Sequence, residues 1–302
     1  MRILITDGMD KSAIARLRDL GHEVTEQFFE PDALGTALRN YDAAVVRSKT
    51  KVRRSHIDEA EGGRLKLVIR GGVGLDNIDA AYAESHGITV RNTPGASSQS
   101  VAEMAMAHMF ACSRFVSVAG STMRQGRWEK KAYGKGTELQ GKTLGIIGCG
   151  RIGQKLAFMA QAIGMTVLFS GRTAKPELAQ QGYQQLPMEE LLKKSDYISI
   201  HTPALEGRPL INADTIAQMK DGVIIINTSR GANVDEKALL DALDSGKVRA
   251  AGLDVYAQEP TANAALCTHP MVSCTPHIGA STAEAQKRIG AEVVEIIQNF
   301  KA

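Results

Sequence analysis

Short apolar runs rich in β-branched residues alternate with helix-like stretches along the whole chain. That alternation restricts the fold more than any other feature. The first set of runs covers residues 3–6, 23–27, 43–46, 67–69 and 88–90, and the second 144–147, 166–169, 197–200, 223–226, 248–252 and 272–274. Between them lie helical patterns such as 11–20, closed by Gly21, and 235–243. Strands separated by helices form parallel sheets covered on both faces. At about 100–200 residues per domain, 302 residues hold two such sets. The stretch 98–118 reads as one long helix joining them, a Gly- and Lys-rich loop follows over 120–141, and a last helix over 282–300 closes the chain. The expected fold class is therefore α/β, with two doubly wound parallel-sheet domains. If the last helix packs back on the first set, residues 1–97 and 281–302 form a discontinuous domain around a continuous one at 98–280.

The second set opens on Gly148-x-Gly150-x-x-Gly153, placed after an apolar strand and at the start of a helix over 152–163. In that context the motif is a dinucleotide turn. Gly148 permits the turn, Gly150 lets backbone approach a pyrophosphate, and Gly153 lets helix and strand pack closely. The phosphates are expected on the helix N-terminus, at Arg151 and Ile152, where free N–H groups favour anions. The end of the next strand selects the cofactor. An acid about 20 residues on holds the ribose hydroxyls of NAD, but none occurs from Arg151 through Pro176. Ser170, Arg172 and Thr173 stand there instead, with Lys175 close behind, and suit a 2′-phosphate. NADP(H) is therefore expected over NAD(H). The plainer alternative is a solvated Arg172, with NAD held by backbone.

Composition narrows the partners. Lys plus Arg number 36 against 33 Asp plus Glu, a net charge of +3, and aromatics are 5%. No basic, aromatic platform for nucleic acid is expected. No long apolar stretch suggests a membrane span. Four scattered cysteines without C-x-x-C read as reduced thiols in a cytoplasmic protein, and the seven histidines lack metal-ligand spacing.

Further motifs follow the later strands: His201-Thr202-Pro203, Asn227-Thr228-Ser229-Arg230-Gly231 running on to Glu236, Gly252-Leu-Asp254, Glu259-Pro260 and Pro276-His277-Ile-Gly279. Open α/β sheets bind ligands at that carboxyl edge. These motifs resemble those of the D-isomer-specific 2-hydroxyacid dehydrogenases, and the reduction of a 2-keto acid that this resemblance implies needs a cation for the carboxylate and an acid for the ketone oxygen. Arg230 offers the planar guanidinium. His277 can give or take the proton, and Glu259 can orient its ring and stabilise its charged form. Taken singly, Glu259 reads as a loop carboxylate and Arg230 as a helix cap, and His201 is a rival to His277.

In this order, and over nearly the whole chain, the motifs closely resemble the D-isomer-specific 2-hydroxyacid dehydrogenases. The resemblance implies a Rossmann cofactor domain beside a flavodoxin-like substrate domain. It implies Arg230, Glu259 and His277 as the catalytic residues. Asp254 then meets the nicotinamide amide, Thr202, Pro203, Thr228, Ser229 and Gly279 line the cofactor, and Val73 and Gly74 face the substrate carboxylate. It also implies a homodimer built through the cofactor domain, with the loop at Trp128, Lys130 and Lys131 reaching the partner, and two domains that close on each other.

Val46-Arg47-Ser48, Arg70-Gly-Gly-Val73-Gly74, Asn92-Thr-Pro-Gly and Gly126-Arg-Trp128 resemble the phosphoglycerate dehydrogenase branch, which serves serine biosynthesis. Arg47, Ser48 and Arg70 would then meet the substrate phosphate; surface ion pairs are the plainer reading. The end at Ser170-Gly171-Arg172 departs from that branch and resembles NADPH-dependent glyoxylate and hydroxypyruvate reductases. A dinucleotide-sensing, corepressor-like binding protein stays open as a third reading. The chain stops soon after the closing helix, so no serine-binding regulatory domain, and no feedback by L-serine of that kind, is expected.

Overall fold

The computed structural model describes residues 1–204 and 207–301. The first half alternates as β1 (Arg2–Ile5), α1 (Lys11–Asp19), β2 (Glu23–Glu26), α2 (Pro31–Leu38), β3 (Ala43–Val46), α3 (Arg54–Ala60), β4 (Leu67–Arg70), α4 (Ala80–Ser85) and β5 (Thr89–Asn92). Helices α5 (Ser98–Arg114) and α6 (Val116–Arg124) follow. The second half runs β6 (Thr143–Ile147), α7 (Arg151–Ala162), β7 (Thr166–Ser170), α8 (Pro176–Ala179), β8 (Gln184–Gln185), α9 (Met188–Lys194), β9 (Tyr197–Ile200), α10 (Ala213–Gln218), β10 (Val223–Asn227), α11 (Glu236–Asp244), β11 (Val248–Leu253), α12 (Ala264–Thr268), β12 (Val272–Cys274) and α13 (Ala283–Asn299).

By packing, the chain divides into a split unit, Met1–Ser98 with Ala280–Ala302, and a continuous unit, Gln99–Gly279. Ala302 itself lies outside the described residues. The split unit holds a parallel sheet ordered β2-β1-β3-β4-β5, the flavodoxin-like order. The continuous unit holds a parallel sheet ordered β12-β11-β10-β9-β6-β7-β8. Counted from β6, that is the Rossmann order 3-2-1-4-5-6 with a seventh strand added.

The strands read as continuous apolar runs because both faces are covered. Ile3 and Ile5 pack into one layer and Leu4 into the other; Ile224 and Ile226 likewise oppose Val223 and Ile225. Helix α13 completes the core of the split unit. Ile289, Val293 and Ile297 join Ile3, Ile14 and Leu17, and a Cβ on Gly290 would lie 2.6 Å from Ala13 Cβ. Thr282 caps it by accepting the Ala285 amide, and Arg288 Nε donates to Ala96 O.

The single helix expected over 98–118 is two. Phe115 takes a left-handed conformation at φ +59° and ends α5, and α6 then runs into the stretch expected as loop. The Thr137 amide donates to Ser113 O and the Phe115 ring meets Tyr133. These tertiary contacts override a helical pattern that continues through the break. Strand β8, two glutamines without an apolar run, has no signature in the sequence. Among the described residues, no helix is long and apolar enough to cross a membrane.

Candidate active site

In the continuous unit the strand order reverses between β6 and β9, where doubly wound sheets open a crevice. Gly148 sits there at φ +93°, and a Cβ on it would lie 2.7 Å from Thr202 Cγ2 and 2.9 Å from His201 O. A Cβ on Gly153 would fall 2.6 Å from Gly148 O, so helix and turn touch. A Cβ on Gly150 would meet nothing within 4 Å. The first amides of α7, at Arg151, Ile152 and Gly153, have no intrahelical partners, the approach at Gly150 is open, and no acid stands in that first turn.

The neighbouring strand ends carry unpaired polar groups. Thr202 Oγ1, Thr228 Oγ1, His201 Nδ1 and Asn233 Oδ1 are buried without a hydrogen-bond partner among the described residues. Buried polar atoms are nearly always paired, so such a cluster beside a glycine turn fits a polar ligand. Asn233 Nδ2 donates to Thr202 O, and Ser229 Oγ to Asn227 Oδ1, which fixes both loops. Pro203 is exposed beside Thr202. Glycine turn, helix amides and orphaned hydroxyls together fit a dinucleotide.

At the end of β7, Ser170 O accepts from the Gly148 amide. Gly171, Arg172 and Thr173 are exposed. The side chain of Gln185 in β8 shapes this loop: Oε1 accepts from the Lys175 amide, and Nε2 donates to Gly171 O and Thr173 O.

Three loops at the carboxyl edge bring Arg230, Glu259 and His277 into one constellation. Glu259 Oε2 lies 2.6 Å from His277 Nδ1, and Oε1 accepts from the Tyr256 amide at 3.1 Å. A carboxylate only accepts, so Nδ1 carries the proton of that bond and Nε2 is the ring atom left for a substrate. Burial opposes ionisation of Glu259. The His277 hydrogen bond and charge, the Tyr256 amide and the Arg230 charge outweigh it and hold the carboxyl below its ordinary range. Arg230 is half-buried in extended backbone, its Nη1 donating to Ser229 O. A Cβ on Gly231 would fall 1.9 Å from Tyr256 C and O, so the loop of Arg230 presses directly on the loop that leads to Glu259. Glu236 holds that second loop, accepting from the Ala257 amide and Asn263 Nδ2.

His277 is in the left-handed region at φ +53°. Asp254, almost fully buried, fixes the turn around it. Oδ1 accepts from Thr275 Oγ1 at 2.6 Å and the Ile278 amide at 2.8 Å, and Oδ2 from the Gly279 amide at 2.7 Å. The rival His201 is placed differently. Its Nε2 faces Ser199 Oγ rather than a carboxylate, and burial pushes it down to about 4, so it stays neutral.

In the split unit, Arg47 and Arg70 end or follow the adjacent strands β3 and β4. Asp7 pins the loop of Arg47, accepting from the Arg47 and Thr50 amides and Thr50 Oγ1. Asn77 Nδ2 donates to Arg47 O and Thr50 O. Arg47, Ser48 and Lys49 line an open cavity of about 400 Å³ with Thr6, Asp7 and Phe28. Arg70 lies over Gly72, where a Cβ would fall 1.4 Å from Nη1. Val73 and Gly74 follow in that turn, and Asn92 Nδ2 holds Val73 O.

Residues 106–279 match the family model for the NAD-binding domain of the D-isomer-specific 2-hydroxyacid dehydrogenases. The chain belongs to this family. It is an oxidoreductase that acts on a CH–OH group with a nicotinamide dinucleotide. Hydroxypyruvate reductase of Thermotoga maritima is 48% identical, matching 98% of this chain and 97% of its own length. D-3-phosphoglycerate dehydrogenase of Methanocaldococcus jannaschii is 42% identical over 99% of this chain, which spans only 57% of that relative. Among solved structures, D-lactate dehydrogenase from Aquifex aeolicus, complexed with NAD and lactic acid, superposes with a TM-score of 0.86 at 29% identity, covering 98% of this chain and 94% of that one.

Several residues that shape the site of this dehydrogenase are silent in the sequence. Asp7, Asn77 and Gln185 each bond two or three backbone groups of a candidate site loop, and Glu236 bonds one backbone amide and one side-chain amide. Glu236 carries a signal, as the last residue of the Asn227 motif, and Asn77 lies in the motif that runs from Arg70 to Asp79. Asp7 and Gln185 sit outside any motif and are found only through their partners.

Proposed function

We propose that this dehydrogenase interconverts 3-phosphoglycerate and 3-phosphohydroxypyruvate, a step toward serine, with Arg230, Glu259 and His277 as catalytic residues and a preference for NADP(H). The observation that carries the chemistry is the 2.6 Å bond from His277 Nδ1 to Glu259, which leaves Nε2 for the substrate. In oxidation His277 Nε2 takes the hydroxyl proton, and in reduction it returns a proton to the ketone oxygen. Glu259 stabilises the imidazolium. Arg230 pairs with the carboxylate and the C2 oxygen, holding the reacting carbon in place. When bound, the nicotinamide supplies or accepts the hydride. General acid–base help of this kind is worth ~10²–10⁴-fold. Gly148, Gly150 and Gly153, with the amides of Arg151 and Ile152, suit the pyrophosphate; Thr202, Pro203, Thr228, Ser229 and Gly279 line the nicotinamide end. Asp254 is assigned to that end too, with its oxygens also holding the turn of His277.

Arg47, Ser48 and Arg70 are the groups assigned to the substrate phosphate, because a dianion is matched by two guanidiniums. Val73 and Gly74 offer backbone to the carboxylate. Ser170, Arg172 and Thr173 are assigned to a 2′-phosphate. The exposed apolar side chains of Phe110, Val116, Met123 and Trp128 on and after α5–α6 support a homodimer.

A second reading, NADPH-dependent reduction of glyoxylate or hydroxypyruvate, is favoured by the acid-free loop at Arg172 and by the full-length match to a hydroxypyruvate reductase. One panel separates the two: kcat/KM for 3-phosphohydroxypyruvate, hydroxypyruvate, glyoxylate and pyruvate with NADPH and NADH, and for 3-phosphoglycerate with NADP⁺ and NAD⁺. The expected result is 3-phosphohydroxypyruvate ahead of hydroxypyruvate by about tenfold or more, fastest with NADPH. A lead for hydroxypyruvate or glyoxylate establishes the second reading. A tenfold lead for NADH overturns the cofactor preference, and absence of turnover favours a sensor protein.

A further inference from the structure

A buried histidine outside the catalytic constellation is wired to it. His108 lies in α5, 2% exposed, with Nδ1 at 3.0 Å from Ser273 Oγ and Nε2 at 3.0 Å from Thr275 Oγ1. Thr275 Oγ1 donates to Asp254 Oδ1 at 2.6 Å, and Ser273 Oγ lies 2.9 Å from Ser117 Oγ. The direction of the chain is forced. Thr275 has one hydroxyl proton and spends it on a carboxylate, so it must accept from His108 Nε2–H. Nδ1 is then the acceptor and takes the Ser273 proton, and Ser273 accepts from Ser117. A neutral ring has one donor and one acceptor, as this arrangement requires. Burial lowers the His108 pKa, against the charge of Asp254, and so keeps the ring neutral.

The strand beneath is shaped to the histidine. A Cβ on Gly252 of β11 would fall 2.5 Å from His108 Cβ and 2.9 Å from its Cγ. At the other end of the chain, Asp254 holds the amides of Ile278 and Gly279, the two residues after His277. His277 is itself in left-handed backbone that a side-chain residue keeps only when its surroundings impose it.

We propose that His108 is a positioning residue for His277, reaching it through Thr275 and Asp254. It sets which way the Asp254 carboxylate faces, and thereby the turn that aims the His277 ring at Glu259 and at the substrate. The inference rests on His277 as the proton-transferring group.

The test compares His108→Leu, His108→Gln, Thr275→Val and the His108→Leu/Thr275→Val double variant. His277→Ala is the control. Substrates are 3-phosphohydroxypyruvate and hydroxypyruvate with NADPH, and kcat, KM and thermal midpoint are read separately. His108→Leu should lower kcat about 10- to 100-fold, because small misplacements of reacting groups cost on that scale, with KM changed less than about twofold. Gln keeps one donor and one acceptor and should restore most of the rate. The double variant should be no slower than Thr275→Val alone, since both break one chain. Wild-type kcat in both single variants, or losses that multiply in the double, overturns the proposal. If His108→Leu does not fold, Thr275→Val decides: a kcat loss at constant KM supports the proposal, and wild-type kcat overturns it. If His277→Ala is inactive while the His108 and Thr275 variants match wild type, only this inference falls; if His277→Ala keeps its turnover, the reading it rests on falls with it.

Discussion

At the scale of single residues, the chemistry depends on which groups a side chain is obliged to bond. His277 and His201 both follow strands and are alike in the sequence. They separate in the structure because one ring faces a carboxylate and the other a hydroxyl under burial. The depressed carboxyl of Glu259 gives a pH prediction. A carboxylate held below its unfolded value of about 4.3 stabilises the fold fully above that pH and loses the contribution as pH falls through the lower folded value. Glu259→Gln removes it. The gap in thermal midpoint between wild type and Glu259→Gln should be full at neutral pH and narrow on acidification below about pH 4. A gap that widens with acid contradicts this account.

At the scale of elements, the loop after β7 is the one to which the proposed NADP(H) preference is assigned. Arg172 is exposed, and the shape of its loop comes from the three bonds of Gln185. A hydrogen bond to a charged group is worth ~1.5–3 kcal/mol, so Arg172→Ala should raise KM for NADPH about tenfold or more and leave KM for NADH within about twofold. Gln185→Leu should move the same ratio in the same direction by freeing the loop. Unchanged NADPH kinetics in both variants would remove the basis for an NADP(H) preference. Gln185 also marks the limit of what the sequence reveals. Buried parallel strands must be apolar on both faces, so Ala43–Val46 and Val223–Asn227 announce themselves. The glycine turn and the motifs of Arg230, Glu259 and His277 are local and readable. Strand β8, the break at Phe115, and the partners of Gln185 and His108 depend on groups far apart in the chain, which no local pattern records.

At the scale of the whole molecule, each half uses the same device: a parallel sheet whose candidate site residues gather at the carboxyl ends of its strands. In the split unit these carry Arg47 and Arg70, and in the continuous unit the glycine turn and the constellation of Arg230, Glu259 and His277. The exposed apolar residues of α5–α6 predict a mass of two chains by light scattering, and Val116→Asp should shift it toward one. A single-chain mass for the wild type contradicts the dimer. The proposed chemistry turns on His277, oriented by Glu259, moving the proton. Its most direct measurement is the kcat of His277→Ala for keto-acid reduction, with dinucleotide affinity measured alongside. The expected fall is ~10²–10⁴-fold at unchanged dinucleotide affinity; a variant that keeps most of its kcat contradicts the assignment of the proton transfer to His277.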